Sequence, residues 1–553
     1  MLRGALLSAL ATVIFVAACA PPEATGKKKR GRGGDDDDDN DPTEQRGDDD
    51  DDGPILGTKP PIPTSIPETG SLKVTLTADK GAANDAVVSL GVPFPQGVFK
   101  DVKNITVKDP GGEAVPVHTA SLATWPGDGS IRSVLVAFKA TVGQGQSQEW
   151  TIDYGKAGTG GDAGKLAANP DGPVIATLTP DHYAASLVSG VILPAAKNTD
   201  FKSYEDRMKT AFASVNYTSV TSDCGNGNQD RTYYDGPHSL YQWALRLGEP
   251  ARHRFAHDTA AWYRANQLKW IEGSPRMAIN KCWDNTGAGY PGGPWTPDEL
   301  LDQGILRRML GQGMLDDYLL TGDPKAKEAL AALGEAYIAS LPTIAPEGEN
   351  AYIERTERNL GWTLMGVVSY YAVDHREEVK AAVDALVERT YAWQARGTSG
   401  GFEHDISRSD PDECSEGQGP RGGSPFMSSL IVDGMMDWWI LSGDPKMKPF
   451  MEKIGAYFES ALTSSKLAFR YLTGCNEKAY DDDDPDEMTT KGLSLLTVQS
   501  FGAAYAVTKN KKWLTLGDAM IEPAVDDVYI GAPKQFNQSV RGMGRYLGYR
   551  AMP

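Results

Sequence analysis

Hydrophobic and polar positions follow two different periods along this chain. Between residues 71 and 154, apolar residues alternate with polar ones or form short runs, separated by Gly, Pro and Asp. This pattern predicts strands in the segments SLKVTLTAD, AVVSLGVPF, KNITVKD, SIRSVLVAFKATV and SQEWTIDYG. The segment PVIATLTPDHYAASLVSGVILPA is expected to carry the last strands and the crossover to the next domain. We therefore predict a β-sandwich or barrel-like domain over residues 70–195.

After residue 235 the period becomes helical, and two kinds of helix alternate. The segments LGWTLMGVVSYYAV, SLIVDGMMDWWIL and LSLLTVQSFGAAYAV are apolar on nearly every face, which is typical of buried helices. The segments DPKAKEALAALGEAYIASL and HREEVKAAVDALVERTYAW have one apolar stripe and one charged face. Buried inner helices that alternate with one-faced outer helices predict an (α/α)6-type toroid over residues 196–553. Six pairs require residues 201–215 and the C-terminal NQSVRGMGRYLGY to supply the missing helices.

A repeated motif marks the turn from an inner to an outer helix. LLTGDPKAKEAL begins at Leu319 and ILSGDPKMKPFM begins at Ile440. In each copy the glycine suits the left-handed position after a helix, the aspartate can cap the next helix, and the proline fits its first turn. Looser copies lie at residues 247–250, 373–375 and 508–510. The motif predicts short inner-to-outer joints.

The outer-to-inner connections are much longer. They span residues 221–234, 271–297, 342–353, 397–424 and 464–487. In a toroid these connections share one rim, at the amino-terminal ends of the inner helices. Because long loops with little structure of their own often carry function, we expect the functional site on this rim.

The N-terminus predicts export. MLRGALLSALATVIFVAAC has one early Arg, an apolar run and small residues before Cys19, as in the signal of a bacterial lipoprotein, which is cut before a lipidated cysteine. The alternative is an ordinary signal whose cleavage site contains Cys19. Residues 20–69 are charged and then Pro-rich, which predicts a disordered tether. We expect residues 1–19 to be the signal and the mature protein to be lipid-anchored to a bacterial membrane, at the outer membrane or cell surface.

The net charge bears on the binding partners, and the cysteine content bears on disulfide formation in an exported protein. The net charge of −19 argues against nucleic acid as a partner. An even number of further cysteines in an exported protein favours disulfides, and all lie in the rim loops: Cys224, Cys282, Cys414 and Cys475. Bridges Cys224–Cys282 and Cys414–Cys475 would join neighbouring loops, although three pairings are open.

Two stretches of the β-domain resemble a known family. GVPFPQG at residues 91–97 and VPVHTASLATWPGDGSIRSVLVAF at residues 115–138 resemble the N-terminal domain of YetA-like exo-rhamnogalacturonan lyases. The turn residues match except that Gly127 is an insertion. The resemblance implies a carbohydrate-active enzyme with a β-domain followed by a helical toroid. These residues form turns, so the resemblance carries no catalytic residue across.

The rim offers candidates for two reactions on a polysaccharide. A lyase that acts on a uronate glycan by β-elimination needs a base, an acid and a cation near the carboxylate. His404, with Tyr234 or Tyr352 and with Arg355 or Arg358, could supply them; we expect His404 to be an exposed loop residue. A glycoside hydrolase needs two carboxylates, which Glu403 or Asp405 opposite Asp235 could supply. The family resemblance favours the lyase, and a non-catalytic glycan-binding or scaffold lipoprotein is a third hypothesis.

Other rim residues are candidates for substrate binding. Arg355, Asn359 and Trp362 are spaced along one helical face, and Glu354 with Arg358 could form a salt bridge at the helix tip. The predicted substrate-binding residues are Asn359, Trp362, Trp283, Trp295, Arg231 and Arg408.

We predict no metal site and no cofactor. His253 and His257 have the spacing of a metal pair, but they lie on an outer helix without an evident third ligand. The acidic runs in the tether and at residues 481–487 could bind calcium, although solvated acidic segments are expected there.

Overall fold

The computed structural model describes residues 59–62, 65–215, 217, 231–279, 309–346, 351–405, 421–474 and 489–553. The signal, most of the tether and the acidic runs lie outside the described residues, as do all five cysteines. Lipidation, the disulfide pairing and calcium binding therefore stay predictions. No helix in the described ranges combines the length and the apolar character that a membrane span needs.

The N-terminal domain consists of two packed sheets. Its strands are β1 (Gly70–Ala78), β2 (Ala83–Pro93), β3 (Ile105–Lys108), β4 (Ala114–Val115), β5 (Val117–Thr124), β6 (Ile131–Val142), β7 (Ser147–Tyr154) and β8 (Val174–Thr177). The sheet orders are β4-β3-β7-β1-β8 and β2-β6-β5, and the pairings are antiparallel. Alternating residues such as Val74, Leu76 and Val88 face the core between the sheets. The five predicted strands are confirmed.

The end of the β-domain differs from the prediction. Between residues 170 and 195 only β8 forms, and a short helix α1 (Pro180–Ser186) follows where further strands were expected. Thr179 begins this helix, since its side chain accepts a hydrogen bond from the His182 amide at 3.4 Å and Pro180 fits the first turn.

Alternating helices make up the rest of the chain. They are α2 (Lys202–Ser214), α3 (Gly236–Leu247), α4 (Pro250–Asn266), α5 (Gln312–Thr321), α6 (Pro324–Ile344), α7 (Glu357–Tyr371), α8 (Glu377–Arg396), α9 (Pro425–Ser442), α10 (Met447–Ser460), α11 (Thr489–Thr497), α12 (Gln499–Thr508), α13 (Lys512–Asp527) and α14 (Pro533–Arg550). Two small hairpins join β9 (Leu268–Trp270) to β10 (Met277–Ile279) and β11 (His404–Asp405) to β12 (Arg421–Gly422).

The inner helices close into a ring. Neighbouring contacts run from α3 to α5, α7, α9, the α11–α12 unit, α14 and back to α3. The outer helices are α2, α4, α6, α8, α10 and α13, so the six-pair toroid is confirmed, including α2 and α14 as the helices that the prediction required. Val498 keeps helical backbone angles between α11 and α12, which therefore form one inner element.

The repeated motif forms the predicted joints, with one correction. Gly322 has φ of 75°, and the Asp323 carboxylate accepts from the Lys325 amide at 3.0 Å at the start of α6. In the second copy Gly443 also has positive φ. There, however, α10 begins only at Met447, although the Asp444 carboxylate accepts from the Lys446 amide at 2.8 Å, the same contact that Asp323 makes in the first copy.

The β-domain covers the carboxyl-terminal end of the ring. The Ser133 hydroxyl donates to the Leu319 carbonyl at 2.7 Å, and the Tyr318 hydroxyl donates to the Leu122 carbonyl at 2.9 Å. The backbone of Gly91 also lies directly against the Leu319 carbonyl. The docked domain therefore lies at the end of the ring opposite the amino termini of the inner helices.

We expect Gly91→Ala to disrupt this docking. A Cβ at Gly91 would lie 1.9 Å from the Leu319 carbonyl oxygen, so the two backbones must separate. The free energy of unfolding should fall by about 3 kcal/mol in urea titrations. Gly111→Ala is the control, since its Cβ would face only the Asp109 side chain at 3.2 Å. Equal stability of the two variants would contradict the docking described above.

Candidate functional site

A cavity opens at the amino-terminal ends of the inner helices, on the rim where the sequence places the long connections. It measures about 290 Å³. Its described lining comes from the turn before α3, from α7, α9, α11 and α14, and from connecting segments: Tyr233, Tyr234, Arg358, Phe426, Tyr471, Gly492, Leu493, Val528, Tyr529, Lys534, Gln535, Gln538 and Ser539. Helix amino termini carry partial positive charge, so this end of the ring favours an anionic ligand.

A cation and a tyrosine hydroxyl meet in this cavity. The Arg358 Nη1 donates to the Tyr233 hydroxyl at 3.0 Å, and the Lys534 ammonium lies 5.7 Å from the centre of the Tyr233 ring. A guanidinium that donates to a phenol oxygen stabilises the negative charge left when the phenol loses its proton. The arrangement can therefore bind a carboxylate and exchange a proton beside it.

The turn that presents the two tyrosines is strained and firmly held. Tyr234 and Asp235 have φ of 61° and 51°, a conformation that costs about 1–3 kcal/mol for each residue other than glycine. The Asn537 amide of α14 donates to the Tyr233 carbonyl at 3.0 Å and to the Arg231 carbonyl at 3.2 Å. The Asp235 carboxylate accepts from the His238 and Gly313 amides at 3.2 and 3.1 Å. These contacts fix the direction of both tyrosine rings.

A buried polar layer lies beneath the cavity. The Arg541 guanidinium pairs with Asp433 at 2.7 Å and also donates to the Gln312 side chain. Arg545 pairs with Asp437 at 2.9 Å, and the Gln312 amide donates to Asp437 at 2.6 Å. Since α14, α9 and α5 supply these groups, the layer ties three inner helices together.

A second, smaller cavity lies deeper in the ring. It measures about 30 Å³, room for only one or two waters. Arg132 of the β-domain lines it, and burial lowers the pKa of this guanidinium to about 10, although Asp437 and Asp316 oppose the shift. The cavity is too small for a sugar, so the rim cavity is the candidate site.

The structure brings some of the predicted catalytic residues to the cavity and not others. Tyr234 and Arg358 line it. Arg355 is exposed, and its guanidinium lies 4.9 Å from the centre of the Tyr352 ring; neither of these two is in the described lining. Arg358 is therefore the better-placed cation of the two predicted arginines.

His404 is not the exposed loop residue that the sequence predicted. It is 4% exposed, and its Nδ1 lies 3.4 Å from a carboxylate oxygen of Glu357, the first residue of α7. The pairing of β11 with β12 folds His404 inward, and the other Glu357 oxygen accepts from the Ser424 amide at 2.6 Å. His404 is not in the described lining of the cavity, and its role as a base stays a prediction.

The predicted salt bridge at the tip of α7 is also corrected. Glu354 pairs with Arg389 and Arg396 of α8, not with Arg358. Since Glu354 lies before the first turn of α7, its carboxylate reaches the neighbouring outer helix. Arg358 is thereby available to the Tyr233 hydroxyl.

The alternative acids do not meet in the cavity. Asp235 is 1% exposed, and burial raises the pKa of its carboxyl although nearby Arg541 and backbone amides oppose the shift. Glu403 accepts from the Thr398 and Ser399 amides, at 3.0 and 2.8 Å. Asp405 is half-buried on β11. None of the three belongs to the described lining.

The described substrate-binding candidates are not in the lining of the cavity and contact other protein groups. Trp362 is 1% exposed and packs under Tyr234, with ring centres 6.0 Å apart. The Asn359 amide donates to the Tyr352 carbonyl at 3.3 Å, and Arg231 stacks on Trp262 at 4.5 Å. Trp362 is buried, and its predicted contact with a substrate stays a prediction. Trp283, Trp295 and Arg408 lie outside the described residues.

Sequence reasoning missed the residues contributed by the start of α14. Lys534, Gln535 and Gln538 line the cavity, and Tyr529 does so from the connection before α14. This connection, residues 528–532, is the sixth outer-to-inner connection, and it is short. The six-pair pattern could have predicted this connection as part of the site, because every outer-to-inner connection must reach the same rim.

Of the two histidines on α4, only His257 belongs to a cluster of possible metal ligands among the described residues; His253 does not. His257 Nδ1 lies 2.7 Å from Asp317, and the ligand atoms of His257, Asp317 and Asp323 lie within 4.8 Å of one another. Arg264 donates to both of these carboxylates. Its guanidinium therefore supplies the positive charge that a metal would bring to this cluster.

We expect Asn537→Ala to loosen the tyrosine turn. The substitution leaves the buried carbonyls of Arg231 and Tyr233 without their donor, which should cost about 3 kcal/mol of unfolding free energy in urea titrations. Tyr217→Phe is the matched control: it removes the hydroxyl that donates to the same amide at 3.0 Å but spares the turn. Its expected cost is about 1 kcal/mol, and a larger loss than that of Asn537→Ala would refute the assignment.

The N-terminal domain is similar to a known domain family. Residues 71–153 match the family described as the PcRGLX-like N-terminal RIFT barrel domain. This match confirms the N-terminal β-domain that was predicted from its turn motifs. No curated protein gives a sequence match to the chain.

Two solved structures are similar to part of the chain. Cellobiose 2-epimerase from Bacillus thermoamylovorans B4167 has 14% identity and a TM-score of 0.38, covering 59% of this chain and 87% of its own. A sugar epimerase from a ruminal bacterium has 13% identity and a TM-score of 0.35, covering 61% of this chain and 92% of its own. The chain joins a β-domain that is similar to the PcRGLX-like RIFT barrel domain to a ring of six helix pairs.

Proposed function

We propose that this protein is an exported, lipid-anchored polysaccharide lyase that cleaves a uronate-containing glycan by β-elimination in the rim cavity. One observation carries the proposal. The described lining holds two cations, Arg358 at the Tyr233 hydroxyl and Lys534 over the Tyr233 ring, and contains no carboxylate. That composition suits an acidic sugar and a reaction in which a tyrosine moves the proton.

The chemistry follows from these groups. Arg358 and Lys534 hold the uronate carboxylate and offset the charge that develops on it when the neighbouring carbon loses its proton. Tyr233, as the phenolate, removes that proton, and the electron pair forms a carbon–carbon double bond as the bond to the glycosidic oxygen breaks. The leaving oxygen takes up a proton from Tyr233, so no water is consumed.

Tyr233→Phe should abolish most turnover without unfolding the protein. The change removes only the hydroxyl that Arg358 contacts, and we expect at least about a 100-fold loss of rate. Turnover is followed on a panel of uronate polysaccharides by the absorbance of the unsaturated product at about 235 nm. Tyr505→Phe is the matched control, since its hydroxyl donates to the Met552 carbonyl at 3.2 Å and neither residue is in the described lining.

The same panel separates the other hypotheses. New reducing ends without the absorbance change would favour a glycoside hydrolase, whose second carboxylate must then come from residues outside the described lining. Binding of the glycan with neither product would favour a non-catalytic glycan-binding or scaffold lipoprotein. Unchanged turnover in Tyr233→Phe would refute the role of this tyrosine, and His404 would then be the next base to test.

The lipid anchor has a separate test. If Cys19 is lipidated, labelled palmitate added to cells should enter the protein, and the protein should fractionate with membranes. Cys19→Ser should remove the label and release the protein, because no second anchor is proposed. Labelling that persists in this variant would contradict the assignment of Cys19.

A further inference from the structure

Tyr529 is exposed in a way that packing does not explain. Its relative exposure is 73%, and only one other large hydrophobic residue in the described ranges is classed as exposed, Trp270 at 46%. Tyr529 lines the mouth of the rim cavity, whereas Trp270 lies on the β9–β10 hairpin and is not in the lining. An exposed aromatic ring at a cavity mouth is not buried in the core, so its apolar surface can contact a ligand.

The backbone holds Tyr529 in this position. Val528 and Ile530 on either side are 5% and 8% exposed, so the middle side chain of this extended segment projects outward. The Val528 carbonyl accepts from Arg207 at 3.0 Å, and its amide donates to the Ala524 carbonyl at 2.9 Å. The ring is therefore presented from an anchored segment.

Gly531 shapes the position of the ring. A Cβ at Gly531 would lie 1.9 Å from the Tyr529 hydroxyl oxygen, so the phenol lies back over this glycine. Any larger residue at 531 would push the ring away from its place. Residue 531 therefore provides a way to displace the aromatic surface without removing it.

The size of the cavity indicates what the ring contacts. At about 290 Å³ the cavity lies at the lower end of ligand pockets, which begin at roughly 300 Å³. One sugar unit beside Arg358 and Lys534 occupies much of that space, so the next unit of a glycan must leave through the mouth. Aromatic side chains offer a flat, rigid contact area at low entropic cost, which suits the apolar face of a sugar ring.

We propose that Tyr529 forms a second sugar subsite, so that the ligand is an oligosaccharide of at least two units. A uronate unit binds at Arg358 and Lys534, and the adjoining unit stacks on Tyr529. The inference rests on the proposed function for the acidic character of the first unit, and it adds the residue that binds the neighbouring sugar.

The test compares affinities along a series of galacturonate oligomers from one to four units. Calorimetric titration uses the mature chain carrying Tyr233→Phe, so that the oligomers stay intact, with and without Tyr529→Ala. We expect Tyr529→Ala to weaken binding of the di-, tri- and tetrasaccharide about tenfold and to leave that of the monosaccharide unchanged. Tyr529→Phe should bind like the parent, and Gly531→Val should resemble Tyr529→Ala.

Trp270→Ala is the matched control, since it removes the other exposed aromatic residue and should change no affinity. Equal losses for the monosaccharide and the oligomers would overturn the subsite, as would unchanged affinity in Tyr529→Ala or no binding of any oligomer. Failure of the proposed reaction gives a different result: the parent chain would then bind oligomers in a Tyr529-dependent way yet form no unsaturated product.

Discussion

The candidate site depends on buried ion pairs between two inner helices, α9 and α14. Arg541 and Arg545 of α14 pair with Asp433 and Asp437 of α9, and these two helices are not neighbours in the ring. The Arg541 and Asp433 side chains are both 0% exposed, so loss of one partner would leave an uncompensated buried charge, at a cost of about 3–5 kcal/mol. The pairs therefore fix how α14 is rotated about its own axis.

The rotation of α14 determines where its other side chains lie at the cavity. The helix that holds Arg541 also holds Asn537, which binds the tyrosine turn, and Lys534, which lines the cavity. Lys534, Asn537 and Arg541 are three to four positions apart and therefore lie along one face of α14. From the cavity inward, this face presents the Lys534 ammonium, the Asn537 amide and the buried Arg541 guanidinium. The strained angles of Tyr234 and Asp235 persist because contacts from α14 and α5 hold the turn on both sides.

The two ends of the toroid have different roles. The β-domain packs on the carboxyl-terminal end through β2, β5 and β6, and Arg132 enters the small cavity there. The amino-terminal end keeps the larger cavity, where helix termini, Arg358 and Lys534 combine positive charge.

Local patterns in the sequence determined most of the fold. The alternation of apolar residues predicted five strands, the apolar helices predicted the inner ring, and the glycine, aspartate and proline at residues 322–324 predicted a joint that the structure contains. These features depend on residues within about one helical turn or one strand of each other, so the sequence displays them directly. The same pattern predicted that the amino-terminal ends of the inner helices share one rim, and the candidate cavity lies there.

Only the tertiary structure decided which side chains meet. Arg358 contacts Tyr233 across 125 positions, and Glu354, four residues before Arg358, turns instead to α8. His404, which the loop pattern placed in solvent, is buried against Glu357. Periodicity reports which face of a helix is apolar, but it does not report which polar groups of distant segments approach each other once the ring closes. That choice is made by packing of the inner helices and by the buried ion pairs at the axis, and neither leaves a local signal in the sequence.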